Sequence, residues 1–105
     1  MPQSSEELII AVVEDDPRIG ELIHEEISDE GHGCKRFSTA EDFLNDVEQL
    51  KPDLILLDLM LPGMDGLNCL RTFRQMPGLQ QCPVVIVTAL NDAAKRRESQ
   101  ELGAI

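Results

Sequence analysis

Three stretches of this chain end in side chains that could do chemistry together. Glu14-Asp15-Asp16 follows the apolar run Leu8-Ile9-Ile10-Ala11-Val12-Val13, Asp58 follows Leu54-Ile55-Leu56-Leu57, and Thr88 follows Val84-Val85-Ile86-Val87. If these runs are parallel strands of one sheet, the carboxylates and the hydroxyl reach the same edge. Gathering several carboxylates is costly, because each raises the pKa of the others unless a cation joins them. A hard divalent ion removes that cost, and Mg²⁺ favours one or two carboxylates, waters and a substrate phosphate. A Mg²⁺-bound Asp beside a hydroxyl makes a site for moving a phosphoryl group onto a carboxylate. That transfer needs mainly alignment and charge neutralisation.

The elements that would position these groups are legible around them. The three runs are continuously apolar rather than alternating, which suits a parallel sheet covered on both faces. Cys34-Lys35-Arg36-Phe37 reads as a fourth, weaker strand, polar enough for a sheet edge. Asp16-Pro17 supplies an N-cap and a Pro at the first helical position; Ile19, Leu22, Ile23 and Ile27 follow at helical spacing, with Gly31 as the stop. Ser38 with Glu41 three residues on reads as a capping box, ahead of Ala40, Phe43, Leu44, Val47 and Leu50 on one face. A third helix is expected from Gly66 to Met76, ending before Pro77. A fourth, polar and weakly patterned, is expected from Asn91 to Leu102. The alternation β-α-β-α-β-α-β-α implies right-handed crossovers and an open, doubly wound α/β sheet. In such sheets ligands bind beyond the carboxyl ends of the central strands.

Composition narrows the function classes. The chain has 105 residues, 42% hydrophobic and 28% charged, enough for one domain. Nine basic against twenty acidic residues give a net charge of −11, which disfavours direct nucleic-acid binding. Three Phe and no Tyr or Trp leave no stacking platform for bases. No apolar run is long enough for a membrane span and no secretory signal is visible. Cys34, Cys69 and Cys82 form no CxxC pair and are odd in number, which fits a reducing cytoplasmic setting and small core residues better than a disulfide framework. His24 and His32 lack metal-ligand spacing and are expected at the surface. Lys95-Arg96-Arg97 reads as a solvated helix face, with docking to an acidic partner as the sharper alternative.

Each of these residues has a plainer reading when taken alone. Glu14-Asp15 could be solvated caps, Asp58 a strand terminator and Thr88 a β-former. Their joint arrival at strand ends favours a site. So does the shaped loop Pro62-Gly63-Met64-Asp65-Gly66 behind Asp58, with glycines for tight backbone.

Val12-Val13-Glu14-Asp15-Asp16-Pro17, the stretch Leu54 to Gly66, and Val87-Thr88-Ala89 together resemble the signature blocks of response-regulator receiver domains, the phosphoacceptors of two-component phosphorelays. The resemblance runs from about Leu8 to Ile105 and implies a flavodoxin-like sheet of order 2-1-3-4, with residues 1–7 as an N-terminal extension. By that resemblance Asp58 is the phosphoacceptor. Asp15 is a direct Mg²⁺ ligand, Glu14 acts through water, and Asp16, one place beyond the pair, is a helix cap. Met60 offers its backbone carbonyl to the metal. Thr88 is the switch hydroxyl and Ala89 keeps room for it. Met60 and Leu90 tune phosphoryl lifetime, and apolar residues at both imply slow hydrolysis. The implied donor is a sensor histidine kinase or phosphotransfer protein. The implied readout is an output domain or self-association through the 4-5 face of the sheet, in the cytoplasm, with no direct nucleic acid or membrane.

The sequence stops at Glu101-Leu102-Gly103-Ala104-Ile105, where the family continues into a fifth strand with an aromatic switch residue and a Lys-Pro pair, then a fifth helix. Lys35, Lys51 and Lys95 do not sit at that lysine's place. The receiver over 8–105 is therefore expected to be C-terminally incomplete, leaving Val84 to Val87 as an open apolar edge that invites pairing. A pseudo-receiver, acting as a binding or dimerisation module without switching, is the competing reading. A haloacid-type hydrolase would want a second Asp where Met60 stands. A domain that accepts phosphate in this way is not an enzyme in the usual sense.

Overall fold

Apolar runs that cannot alternate between two faces must be covered on both, and the fold does this. The computed structural model describes residues 7–87 and 92–105. Among them strands and helices alternate: β1 (Ile9–Val13), α1 (Pro17–Asp29), β2 (Gly33–Phe37), α2 (Ala40–Leu50), β3 (Leu54–Leu57), α3 (Gly66–Arg74), β4 (Val84–Ile86) and α4 (Ala93–Glu101). The strands pair in parallel in the order β2-β1-β3-β4, the expected doubly wound sheet. Thr88, Ala89, Leu90 and Asn91 lie outside the described residues.

One face of the sheet carries the larger core. Ala11, Val13, Ile55, Leu57 and Val84 meet Phe43 and Val47 of α2 and Leu70 and Phe73 of α3. Phe43 joins Phe37 and Phe73 edge-to-face, with ring centroids 5.5 and 5.9 Å apart, the geometry their ring quadrupoles favour. On the other face Ile10 and Val12 pack on Ile27 of α1, with Ile23, Cys34, Leu54 and Leu56 half-buried around them.

Helix entries follow local chemistry, with one correction. Asp16 caps α1 by accepting from Arg18 N at 2.9 Å, and Pro17 opens the helix as expected. The Ser38–Glu41 capping box is not formed. Thr39 is the cap, its Oγ1 accepting from Asp42 N at 3.1 Å. Helix α2 then begins at Ala40, so Glu41 stands at the second helical position instead of the third, where a box residue would reach back. Asp65 caps α3 through Asn68 N at 2.8 Å, and α3 ends at Arg74, two residues short of the expected Met76.

Two further features depart from expectation. His24 is half-buried, its Nδ1 enclosed and without a hydrogen-bond partner among the described residues, and His32 Nδ1 accepts from Leu8 N at 3.0 Å, so neither is simply a surface group. The β4 edge is not wholly open either. Ile105 N donates to Val84 O at 2.8 Å and Ile86 N to Ile105 O at 3.4 Å, the pair of bonds a parallel neighbour of Val85 makes.

Arg74 ties the far end of α3 to two other segments. Its guanidinium donates to Leu102 O at 2.8 Å, and to Leu79, Gln80 and Cys82 carbonyls at 3.1, 3.0 and 2.8 Å. Arg71 forms an ion pair with Glu98, linking α3 to α4. Among the described residues all three cysteines are free, and no helix is long and apolar enough to cross a membrane. Burial pushes the Cys69 thiol up to about 12, with the charges of Glu41 and Asp65 adding to the effect.

Candidate functional site

Strand register decides what emerges at the carboxyl edge. Val13 of β1 is the partner of Leu57 of β3, so Glu14 and Asp58, the next residues of each chain, leave the sheet side by side. Backbone bonds extend both strands by one step: Asp58 N donates to Val13 O, and Glu14 N to Phe37 O, each at 3.0 Å. Asp58 is thereby held rigidly and only 9% exposed, while Glu14 is half-buried and Asp15 exposed.

One carboxylate oxygen from each of Glu14, Asp15 and Asp58 lies within 4.8 Å of the others. The Glu14 carboxyl titrates above its usual range. Burial is the main cause, followed by the charges of Asp58 and Asp15 and a hydrogen bond with Asp58. The Asp16 N–H, donating to Glu14 Oε2 at 3.0 Å, works in the opposite direction. Asp58 Oδ1 accepts from Met60 N at 3.0 Å, which orients the carboxylate and turns the chain sharply after the strand.

The donor set fits a hard divalent cation. All three groups offer oxygen, and like charges this close are stabilised by a shared positive ion. Two oxygens on one Mg²⁺ stand at most about 4.2 Å apart, twice the usual bond length. Carboxylate oxygens all within 4.8 Å of one another are close enough to share one ion, directly or through water.

The sequence-expected residues divide as follows. Glu14, Asp15 and Asp58 are brought together, Asp16 caps α1, and the Met60 side chain is 55% exposed beside the site. Thr88, Ala89 and Leu90 lie outside the described residues. Sequence reasoning missed Glu41, whose Oε2 accepts from Met64 N at 3.2 Å in the loop behind Asp58. Its signal in the sequence is an acidic residue in the first turn of α2, which equally suits a capping box. Beside Glu14 and Asp15 a cavity of about 330 Å³ is lined also by Arg36, Phe37 and Ser38. A larger one, about 640 Å³, lies at the amino ends of the strands among Lys51, Asp53, Leu79 and Cys82. Size is a poor guide here, since two of the clustered carboxylates, Glu14 and Asp15, border the smaller cavity.

Comparison with known proteins agrees with this fold. The family model described as response regulator receiver domain matches residues 10–105. The transcriptional regulatory protein BaeR of Escherichia coli O6:H1 is 39% identical over 95 residues, covering 90% of this chain and 38% of BaeR. The chain thus spans about two fifths of the curated relatives it matches. Among solved structures, the BeF3-activated N-terminal receiver domain of Klebsiella pneumoniae RstA is 35% identical with a TM-score of 0.80, over 91% of this chain and 80% of that one. The Mn(2+)-bound form of response regulator Rcp1 is 28% identical with a TM-score of 0.84, over 92% of this chain and 76% of that one. A sheet of order 2-1-3-4, an acidic trio at its carboxyl edge and a match over nearly every residue all lead to one assignment: this chain belongs to the response regulator receiver domain family.

Proposed function

We propose that the chain accepts a phosphoryl group on Asp58 from a histidine kinase or phosphotransfer protein, and so acts as a signalling switch. The observation that carries this reading is the convergence of Glu14, Asp15 and Asp58 on one cation-sized space. A carboxylate oxygen of Asp58 attacks phosphorus, the phosphorus–nitrogen bond of the donor imidazole breaks, and the nitrogen keeps the electron pair. Asp15 and Asp58 would hold Mg²⁺ directly, with the Met60 carbonyl, and Glu14 through water. Bound there, Mg²⁺ neutralises charge on the transferring group. The Mn(2+)-bound form of Rcp1 supports a divalent ion in this fold.

On the same reading Thr88 supplies the switch hydroxyl, Ala89 leaves it room, and Leu90 with Met60 sets how long the phosphoryl group lasts. Apolar side chains at both lifetime positions cannot orient an attacking water, so hydrolysis is slow; a half-life of seconds would refute that. The residues from 8 onward act as a cytoplasmic receiver, 1–7 as an extension, and the signal passes to an output domain or to self-association along the 4-5 face.

The test is intact mass after incubation with a small phosphodonor and Mg²⁺, for wild type and Asp58→Asn. Gain of one phosphoryl group by wild type alone is the expected result. No gain by either folded protein would favour a binding or dimerisation module instead.

A further inference from the structure

The loop 59–65 joins β3 to α3 and includes the Met60 backbone assigned above to the cation. Its base is closed, with Gly66 N donating to Leu59 O at 3.1 Å. Leu59 and Leu61 are buried on either side of the exposed Met60, whose N–H donates to Asp58 Oδ1 at 3.0 Å, so this part of the loop is anchored in the core and tied to the acceptor. Gly63, at φ +71°, then turns the chain, and Met64 N donates to Glu41 Oε2 of α2 at 3.2 Å. Two local facts make the contact available. Thr39 and not Ser38 caps α2, which leaves the Glu41 carboxylate free of capping. A β-carbon at residue 63 would stand 3.1 Å from Glu41 Oε2, so the glycine leaves the carboxylate its space.

We propose that Glu41 is a positioning residue for the cation site: by holding Met64 it fixes the loop that presents the Met60 carbonyl. The inference rests on the reading of Asp15, Asp58 and Met60 as a Mg²⁺ site. The plainer role for Glu41 is a negative charge in the first turn of α2, favourable to the helix dipole. Reach and charge separate the two. Glu41→Asp keeps the charge in the first turn but shortens the arm by one methylene. Glu41→Gln removes the charge but keeps an oxygen at full reach.

The experiment is calorimetric titration of the chain with Mg²⁺ for wild type and both variants, with hydrogen exchange at the Met64 amide measured in parallel. Positioning predicts that Glu41→Asp binds Mg²⁺ roughly tenfold more weakly, the low end for groups that orient metal ligands, and exchanges faster at Met64. Glu41→Gln should stay close to wild type on both. Unchanged affinity in Glu41→Asp, or weakening only in Glu41→Gln, would overturn the proposal. Failure of wild type itself to bind Mg²⁺ would overturn the metal-site reading, a result distinct from either.

Discussion

The α-carbon of Gly66 lies against the backbone of Asp58: a β-carbon there would stand 2.2 Å from the Asp58 carbonyl oxygen and 2.6 Å from Cα of Leu59. Backbone cannot swing aside as a side-chain tip can, so α3 approaches this closely only through a glycine. Gly66→Ala must push the first turn of α3 away and disturb the acceptor. A loss of about 3 kcal/mol is expected, at the upper end for overpacked sites. Urea unfolding followed by circular dichroism measures it, and Mg²⁺ affinity should fall with it. Full stability in the alanine variant would mean that the start of α3 shifts without strain.

Replacing the acceptor should have opposite effects with and without cation. In cation-free buffer Asp58→Asn relieves repulsion within the trio and is expected to raise stability by about 1 kcal/mol. With Mg²⁺ at about 100 times its Kd, wild type gains about 2.7 kcal/mol and Asp58→Asn much less, so the order reverses. Paired denaturation curves with and without Mg²⁺ decide this.

The pH profile should carry two separable components. Glu14 titrates above its ordinary 4.5 in the folded chain, chiefly through burial, so the fold holds that proton more tightly than the unfolded chain does. Its contribution to stability is complete below 4.5 and is lost as pH rises through the raised folded value. Asp16 behaves oppositely. The Arg18 N–H lowers it from 3.8, so its contribution is present above 3.8 and lost as pH falls through the lowered value. Glu14→Gln should flatten the decline above 4.5 and leave the acid limb intact. Urea midpoints between about pH 3 and pH 7, without divalent ions, check both.

Removing the Arg74 guanidinium strands carbonyls on both sides of it. Arg74→Ala is expected to cost about 2 kcal/mol, and Arg74→Lys less, because an ammonium can satisfy some of the same acceptors. Hydrogen exchange at Gly103, Ala104 and Ile105 should rise in the alanine variant, since the carbonyl of Leu102 loses its anchor. Protection unchanged there would show that the turn after α4 is held by its own backbone bonds.

Much of the architecture was readable from residue order because a buried parallel strand leaves an unbroken apolar run, as Leu54 to Leu57 does. The acidic trio was readable for a related reason. Once Val13 and Leu57 are paired, the side chains that follow have nowhere to go but the shared edge. What escaped were contacts made by long side chains across elements. Glu41 had two local hydroxyls upstream, and only the packed start of α2 selects Thr39 over Ser38 as the cap. Nothing in Thr72-Phe73-Arg74-Gln75 announces that Arg74 will gather carbonyls from residues as distant as Leu102. The enclosed Nδ1 of His24 likewise depends on how α1 settles on the sheet, not on helical spacing.

The ladder bonds at Ile105 have a practical side for anyone building with this domain. The backbone of this residue lies along the border of β4, bonded to Val84 and Ile86, while its side chain is exposed. A reporter or purification handle joined there with a short, stiff connector would compete for the strand border and disturb Val84 and Ile86. The same handle joined ahead of Leu8 starts beside the opposite, amino-terminal rim of the strands, far along the fold from the acidic trio.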